Sequence, residues 1–166
     1  DASSYHTFFF DMATNEPLRG ETHQGFSDDS SWARGQSWAV YGLALCYHYT
    51  HEEAILPLFE RVTKYFIDHL PEDYVPYWDL IFSDGSCEPR DTSAAAIAAC
   101  GILEMEKYYH NQEFLDIAKK MMSSLSEKYT TVDYLQSNGI IKDGMYSRKH
   151  GHKSECTSWG DYFYLE

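Results

Sequence analysis

Positive charge is scarce in this sequence. Lys and Arg together number 13 against 26 Asp and Glu, for a formal net charge of −13. That field repels a nucleic-acid backbone, and no Lys/Arg cluster offsets it, which argues against a nucleic-acid partner. Cysteine is sparse as well. Cys46, Cys87, Cys100 and Cys156 are widely separated and form no CxxC pair, so neither a disulfide scaffold nor a zinc site is expected. Cys46 and Cys100 fall in apolar helical stretches, where a free thiol behaves as a small hydrophobe. A reducing compartment follows as the expectation, and with it a cytoplasmic location. No apolar run is long enough to span a bilayer, so no membrane partner is expected.

Aromatic residues are plentiful, at 16% of the chain with 14 Tyr, 9 Phe and 4 Trp. Many must pack in the interior, yet aromatic faces also stack on the C–H faces of pyranose rings while Tyr and Trp tips reach hydroxyls. An acidic sugar would meet the same negative field as a nucleic acid and would need a specific cation. Individual Arg residues are therefore informative.

The chain is organised as repeating helix pairs. The first helix is expected from about Ser31 to Thr50, capped by Ser30 or Ser31. The second runs from about Glu52 to Leu70, with Ile55, Leu56, Phe59, Val62, Phe66 and Ile67 at helical spacing. A loop rich in Pro, Asp and Gly leads to a third, capped by Asp91 or Thr92. After a polar break at His110–Asn111, a fourth runs roughly from Gln112 to Tyr129. A long loop precedes another cap at Thr157 or Ser158. Capped starts near 31, 92 and 158 give a period of about 60 to 67 residues, the mark of stacked αα-hairpins. The first helix of each pair is rich in Ala, Gly and aromatics and the second has a charged stripe, which describes an inner and an outer ring. The fold class expected is all-α, of the (α/α)6-barrel type and present as a partial barrel, with residues 1–166 a single domain. Asp1 enters mid-pattern and Glu166 ends within an apolar-aromatic run, so a piece of a longer protein is expected. Short extended stretches are expected at His6–Asp11 and Gly144–Ser147.

In such a ring the loops before the inner helices converge over the mouth, where helix N-termini favour anions. This directs attention to Gln24–Trp38, QGFSDDSSWARGQSW. Arg34 offers a planar fork that matches a carboxylate, and Gly35 beside it opens space. Trp38, four residues on, shares the helix face and can stack on a ring held by the Arg. Gln24 and Gln36 supply amides for hydroxyls. The structural alternative pairs Arg34 with Asp28, Asp29 or Asp161 and buries Trp38. Asp28 and Asp29 read as helix caps or solvated residues, with a site role open. Asp79 is ambiguous, Asp91 reads as a cap with Arg90 nearby, and Asp161 could orient Arg34 or a substrate hydroxyl.

The run HQGFSDDSSWARGQSWAVYGL resembles the bacterial unsaturated glucuronyl hydrolases of glycoside hydrolase family 88, as do YHTFFFD, VPYWDL, RDTSAAAIAACGILEM and SWGDYFYLE. The blocks occur in family order across nearly the whole chain. A rhamnogalacturonyl relative typically has RGNGW where this chain reads Arg34-Gly35-Gln36-Ser37-Trp38, which favours the glucuronyl branch. The resemblance implies a role in glycosaminoglycan degradation. The implied partner is an unsaturated uronate oligosaccharide left by a polysaccharide lyase, and no cofactor is implied. An Asp protonates C4 of the enol-ether double bond and activates a water that adds at C5; the hemiketal then opens and expels the remaining sugar. One proton shuttle serves, unlike the two carboxylates of ordinary glycoside hydrolysis.

By the same resemblance, His6, Gln24, Arg34 and Trp38 match positions lining the subsite for the unsaturated sugar. The family's catalytic aspartates lie in blocks upstream of the region that begins here at Asp1, so residues 1–166 alone are expected not to turn over. The basic loop Ser147–Lys153 resembles a Ser-x-x-Ser-x-Lys loop of sulfate-preferring members, with His150 and His152 at the second Ser and the Lys. A preference for unsulfated or differently sulfated substrates is the expectation, against the alternative of a solvated loop. His150 and His152 without a convergent third ligand make a poor metal site. Outside this family, the alternatives are a non-catalytic αα-repeat binding module or the rhamnogalacturonyl relative.

Overall fold

The computed structural model describes residues 1–166. Five α-helices carry the fold: α1 (Ala33–Thr50), α2 (Ile55–Asp68), α3 (Thr92–Glu106), α4 (Gln112–Lys128) and α5 (Ser158–Leu165). A two-stranded antiparallel hairpin, β1 (Thr7–Phe10) and β2 (Pro17–Glu21), precedes them, with Phe8 opposite Gly20 and Phe9 opposite Arg19.

Burial separates the helices as the expected inner and outer rings require. In α3 the run from Thr92 to Ala99 is buried on every side, as are Gly101, Ile102 and Met105. In α2 only Phe59, Val62, Thr63 and Phe66 are buried, a single stripe with a solvated opposite face. α4 repeats that stripe through Phe114, Ala118, Met121, Ser124 and Leu125. α3 packs against α1, α4 and α5, while α2 packs against α1. Gly101 lets the two inner helices touch: a Cβ there would sit 2.7 Å from the Tyr41 Cα.

Helix starts follow side-chain chemistry, with corrections. Asn111 caps α4 by accepting from the Phe114 N–H at 3.2 Å, and Thr157 caps α5 by accepting from the Gly160 N–H at 3.2 Å. Neither Ser30 nor Ser31 caps α1, which begins at Ala33 after Trp32. The Ser30 hydroxyl donates to Asp79 at 2.8 Å instead, and the Ala33 N–H reaches the Trp78 carbonyl at 3.2 Å. Asp91 occupies the N-cap position of α3 with extended backbone, but its carboxylate caps nothing. The expected extended stretch at His6–Asp11 contains β1. Near Gly144 the extended backbone is limited to one bridge, in which Gly144 and Glu155 exchange both hydrogen bonds at 2.9 Å. No helix is long and apolar enough to cross a membrane.

Candidate active site

Trp32, just before α1, is the floor on which the site is built. Its indole is 8% exposed and fills the space that Gly35 leaves, where a Cβ would meet the ring at 2.8 Å. The opening expected at Gly35 is thus occupied by tryptophan. On one side of Trp32 lies the His6 ring, at 4.6 Å between centroids. Also over the Trp32 ring lies the Arg34 guanidinium, 4.7 Å from the centroid, and Trp159 of α5 lies 5.1 Å from the same cation. Two indoles therefore flank one desolvated guanidinium. Tyr146 continues the cluster, 5.9 Å from Trp159 and 4.9 Å from the His152 ring.

Arg34 is 3% exposed, and its anionic partner is Asp91, with Nη1 to Oδ2 at 2.8 Å. None of Asp28, Asp29 or Asp161 fills that role. Nη1 also donates to the Met145 carbonyl at 2.8 Å and lies 3.3 Å from the Ser93 hydroxyl, while Nη2 donates to the Tyr146 carbonyl at 2.6 Å. The Nε–H and one Nη2 hydrogen meet no acceptor within the chain. Ser93 knits the site together: its hydroxyl donates to Asp91 Oδ1 at 2.5 Å and accepts from the Trp159 indole N–H at 3.1 Å. Further hydrogen bonds of this kind are what a buried ion pair needs; here they engage both oxygens of Asp91 and leave one edge of the guanidinium without a partner.

Gln24 converges on the same carbonyl as Arg34, its Nε2 donating to the Tyr146 oxygen at 2.8 Å. His6 arrives from the segment before β1. Its Nδ1 accepts from the backbone N–H groups of His23 at 3.2 Å and Gln24 at 3.3 Å. Backbone N–H groups can only donate, so Nδ1 carries the lone pair and the proton sits on Nε2. Burial, then the neighbouring His23 and Arg34, hold the His6 pKa below its ordinary 6.5.

His6, Gln24 and Arg34, expected together, do meet at one cluster. Trp38 does not join them. It is 38% exposed and packs edge-on against Phe163 at 5.2 Å. Within residues 1–166 no cavity is lined by either Arg34 or Trp38. A spacing of four places two Cα atoms on one face, but the long Arg side chain reaches toward the head of α3 while the indole, a turn later, meets α5. Gln36 lies fully buried away from the mouth. Asp79, also fully buried, accepts from the Phe26 N–H and the Ser30 hydroxyl at 2.8 Å each and so shapes the loop into α1. Asp161 does not orient Arg34; it accepts from the N–H groups of Ile140 and Ile141 at 3.0 Å each.

Trp32, Tyr146 and Trp159 belong to the cluster but were not expected there. A signal for two of them exists in the repeat, since Ser31-Trp32 and Ser158-Trp159 stand at the heads of two inner helices.

Residues 2–166 match the family model of Glycosyl Hydrolase Family 88. An unsaturated chondroitin disaccharide hydrolase of Streptococcus pneumoniae is 49% identical over 172 aligned residues, covering 100% of this chain and 43% of the relative. The crystal structure of the unsaturated glucuronyl hydrolase from Bacillus sp. GL1 superposes with a TM-score of 0.93 at 40% identity, covering 100% of this chain and 46% of that one. A mutant unsaturated glucuronyl hydrolase from Streptococcus agalactiae, complexed with dGlcA-GalNAc6S, gives a TM-score of 0.87 at 46% identity, over 99% of this chain and 45% of that one. The chain thus spans less than half the length of these relatives, and its helices form part of an α/α barrel. With the match running through nearly every residue, this chain belongs to glycosyl hydrolase family 88.

Proposed function

We propose that this chain forms the uronate-clasping wall of an unsaturated glucuronyl hydrolase, which removes the unsaturated uronate from the non-reducing end of lyase-generated oligosaccharides. The observation that carries this reading is the convergence of His6, Gln24 and Arg34, from three separate segments, on the Trp32–Tyr146 cluster. Arg34 presents its remaining edge, Nε–H with one Nη2 hydrogen, to the substrate carboxylate. His6 donates from Nε2–H, and the Gln24 carbonyl oxygen accepts from a sugar hydroxyl. Trp38 offers its exposed ring as a stacking wall at the rim.

The chemistry is hydration. An aspartic acid protonates C4 of the double bond, the carboxylate it leaves takes a proton from water, and that water adds at C5. The resulting hemiketal opens and releases the remaining sugar. The two buried aspartates, Asp79 and Asp91, have both carboxylate oxygens engaged within the fold. The family resemblance places the proton-shuttling aspartate upstream of residues 1–166, which we read as one folding unit. The free thiols suit the reducing interior of a bacterial cell.

The basic loop supports a preference for unsulfated or differently sulfated sugars. Arg148 is spent on Glu88 at 3.3 Å, Lys149 donates to the Thr22 carbonyl at 3.1 Å, and the His150 ring turns onto the Ser147 hydroxyl at 2.6 Å. The test is loss of the double-bond absorbance when the full-length enzyme meets unsaturated disaccharides. The reading predicts loss of that absorbance with unsaturated disaccharides, fastest without the sulfate, and no release of reducing sugar from a saturated one. Cleavage of the saturated sugar overturns the reaction, and a strong sulfate preference overturns the loop assignment.

A further inference from the structure

Gln36 lies two residues from Arg34 on α1 yet points away from the mouth, fully buried beneath the segment that leads into β1. Its amide is saturated. Nε2 donates to the carbonyls of Ala2 at 2.9 Å and Val62 at 3.0 Å, and Oε1 accepts from the Ser4 N–H at 2.8 Å, with the Ser31 hydroxyl at 3.5 Å. Bonding one residue's carbonyl and the N–H two residues further on is what a neighbouring strand does in a parallel ladder. One side chain here stands in for that strand. The held backbone needs such a partner, because Ala2 adopts φ 128°, a region disfavoured for any residue with a Cβ.

Two residues after Ser4 comes His6, whose ring lies on Trp32. Trp32 is one helical turn before Gln36. The head of α1 therefore grips this arm twice, by backbone at Ala2–Ser4 and by ring at His6. We propose that Gln36 is a positioning residue: by clamping the Ala2–Ser4 backbone against α1 and α2 it fixes the His6 ring over Trp32, with Nδ1 turned to the N–H groups of His23 and Gln24. His6 then presents Nε2–H in one orientation. The proposal deepens the preceding reading, on which it rests for the part His6 plays toward a uronate.

The experiment uses the full-length enzyme and two variants. Gln36→Met keeps the length and volume of the side chain but removes the amide. Ser4→Pro removes the clamped N–H from the arm without touching the core, and so decides the matter if Gln36→Met does not fold. The direct readout is the ring nitrogens of His6 followed by NMR against pH, with His23 and Arg34 as the titratable and charged groups facing it. In the unaltered enzyme His6 is in the Nε2–H form. In either variant the two tautomers mix and the titration moves up toward the ordinary 6.5. kcat/KM on the unsaturated disaccharide falls about 10- to 100-fold, mainly through KM. A purely structural role would lower the melting temperature and leave both the His6 spectrum and kcat/KM of the folded protein unaltered; that result overturns the proposal. A displaced His6 with unchanged kcat/KM upholds the clamp and instead removes His6 from the uronate-binding reading.

Discussion

Replacing Asp91 with alanine would leave the Arg34 guanidinium buried between two indoles with no counter-ion. A charge stranded in this way costs about 3–5 kcal/mol, and we expect urea denaturation of Asp91→Ala to show a loss of that size. A loss under about 1 kcal/mol would place the pair among weak surface contacts. His6 supplies the pH dependence. Its folded-state pKa lies below 6.5, so the neutral ring contributes stability that is complete above that value and is lost as pH falls through the folded pKa. Denaturation midpoints should therefore decline on acidification below 6.5, and less steeply in His6→Gln. Arg34 and Gln24 could be picked out because their residue types suit a carboxylate or hydroxyl, and His6 only through the family resemblance. The Asp91 partnership could not, since it joins positions 57 residues apart and Asp91 in isolation reads as a cap.

Among the elements, the four longer helices were legible from apolar spacing, and their ends were less so wherever tertiary contacts outcompete local capping. Ser30 looks like a cap until Asp79, 49 residues away, takes its hydroxyl. β2 escaped notice because Pro17-Leu18-Arg19-Gly20-Glu21 has no alternation of apolar and polar residues. It is strand only because β1 pairs with it. The packing of α1 on α3 gives a sharper test. Gly101→Ala would place its methyl 2.7 Å from the Tyr41 Cα, where backbone rather than a flexible side chain must yield. Overpacking of this kind costs about 1–3 kcal/mol, despite the higher helix propensity of alanine. Thermal denaturation should show a lowered midpoint, and an unchanged or raised one would mean that the helices can move apart freely.

At the scale of the molecule, the repeat of inner and outer helices could be read from composition, since α1 and α3 lack the charged stripe that α2 and α4 carry. Which side chains gather at the mouth could not, because Tyr146 arrives on a loop 112 residues from Arg34. The central claim is that the open edge of Arg34 engages the uronate carboxylate. Arg34→Lys tests it most directly, because it keeps the charge beside Asp91 and removes the planar fork. In the full-length enzyme, with folding verified by circular dichroism, kcat/KM for the unsaturated disaccharide should fall by an amount equivalent to about 2–5 kcal/mol. Turnover near that of the unaltered enzyme would contradict the account and leave Arg34 as the pin between α1 and α3 alone.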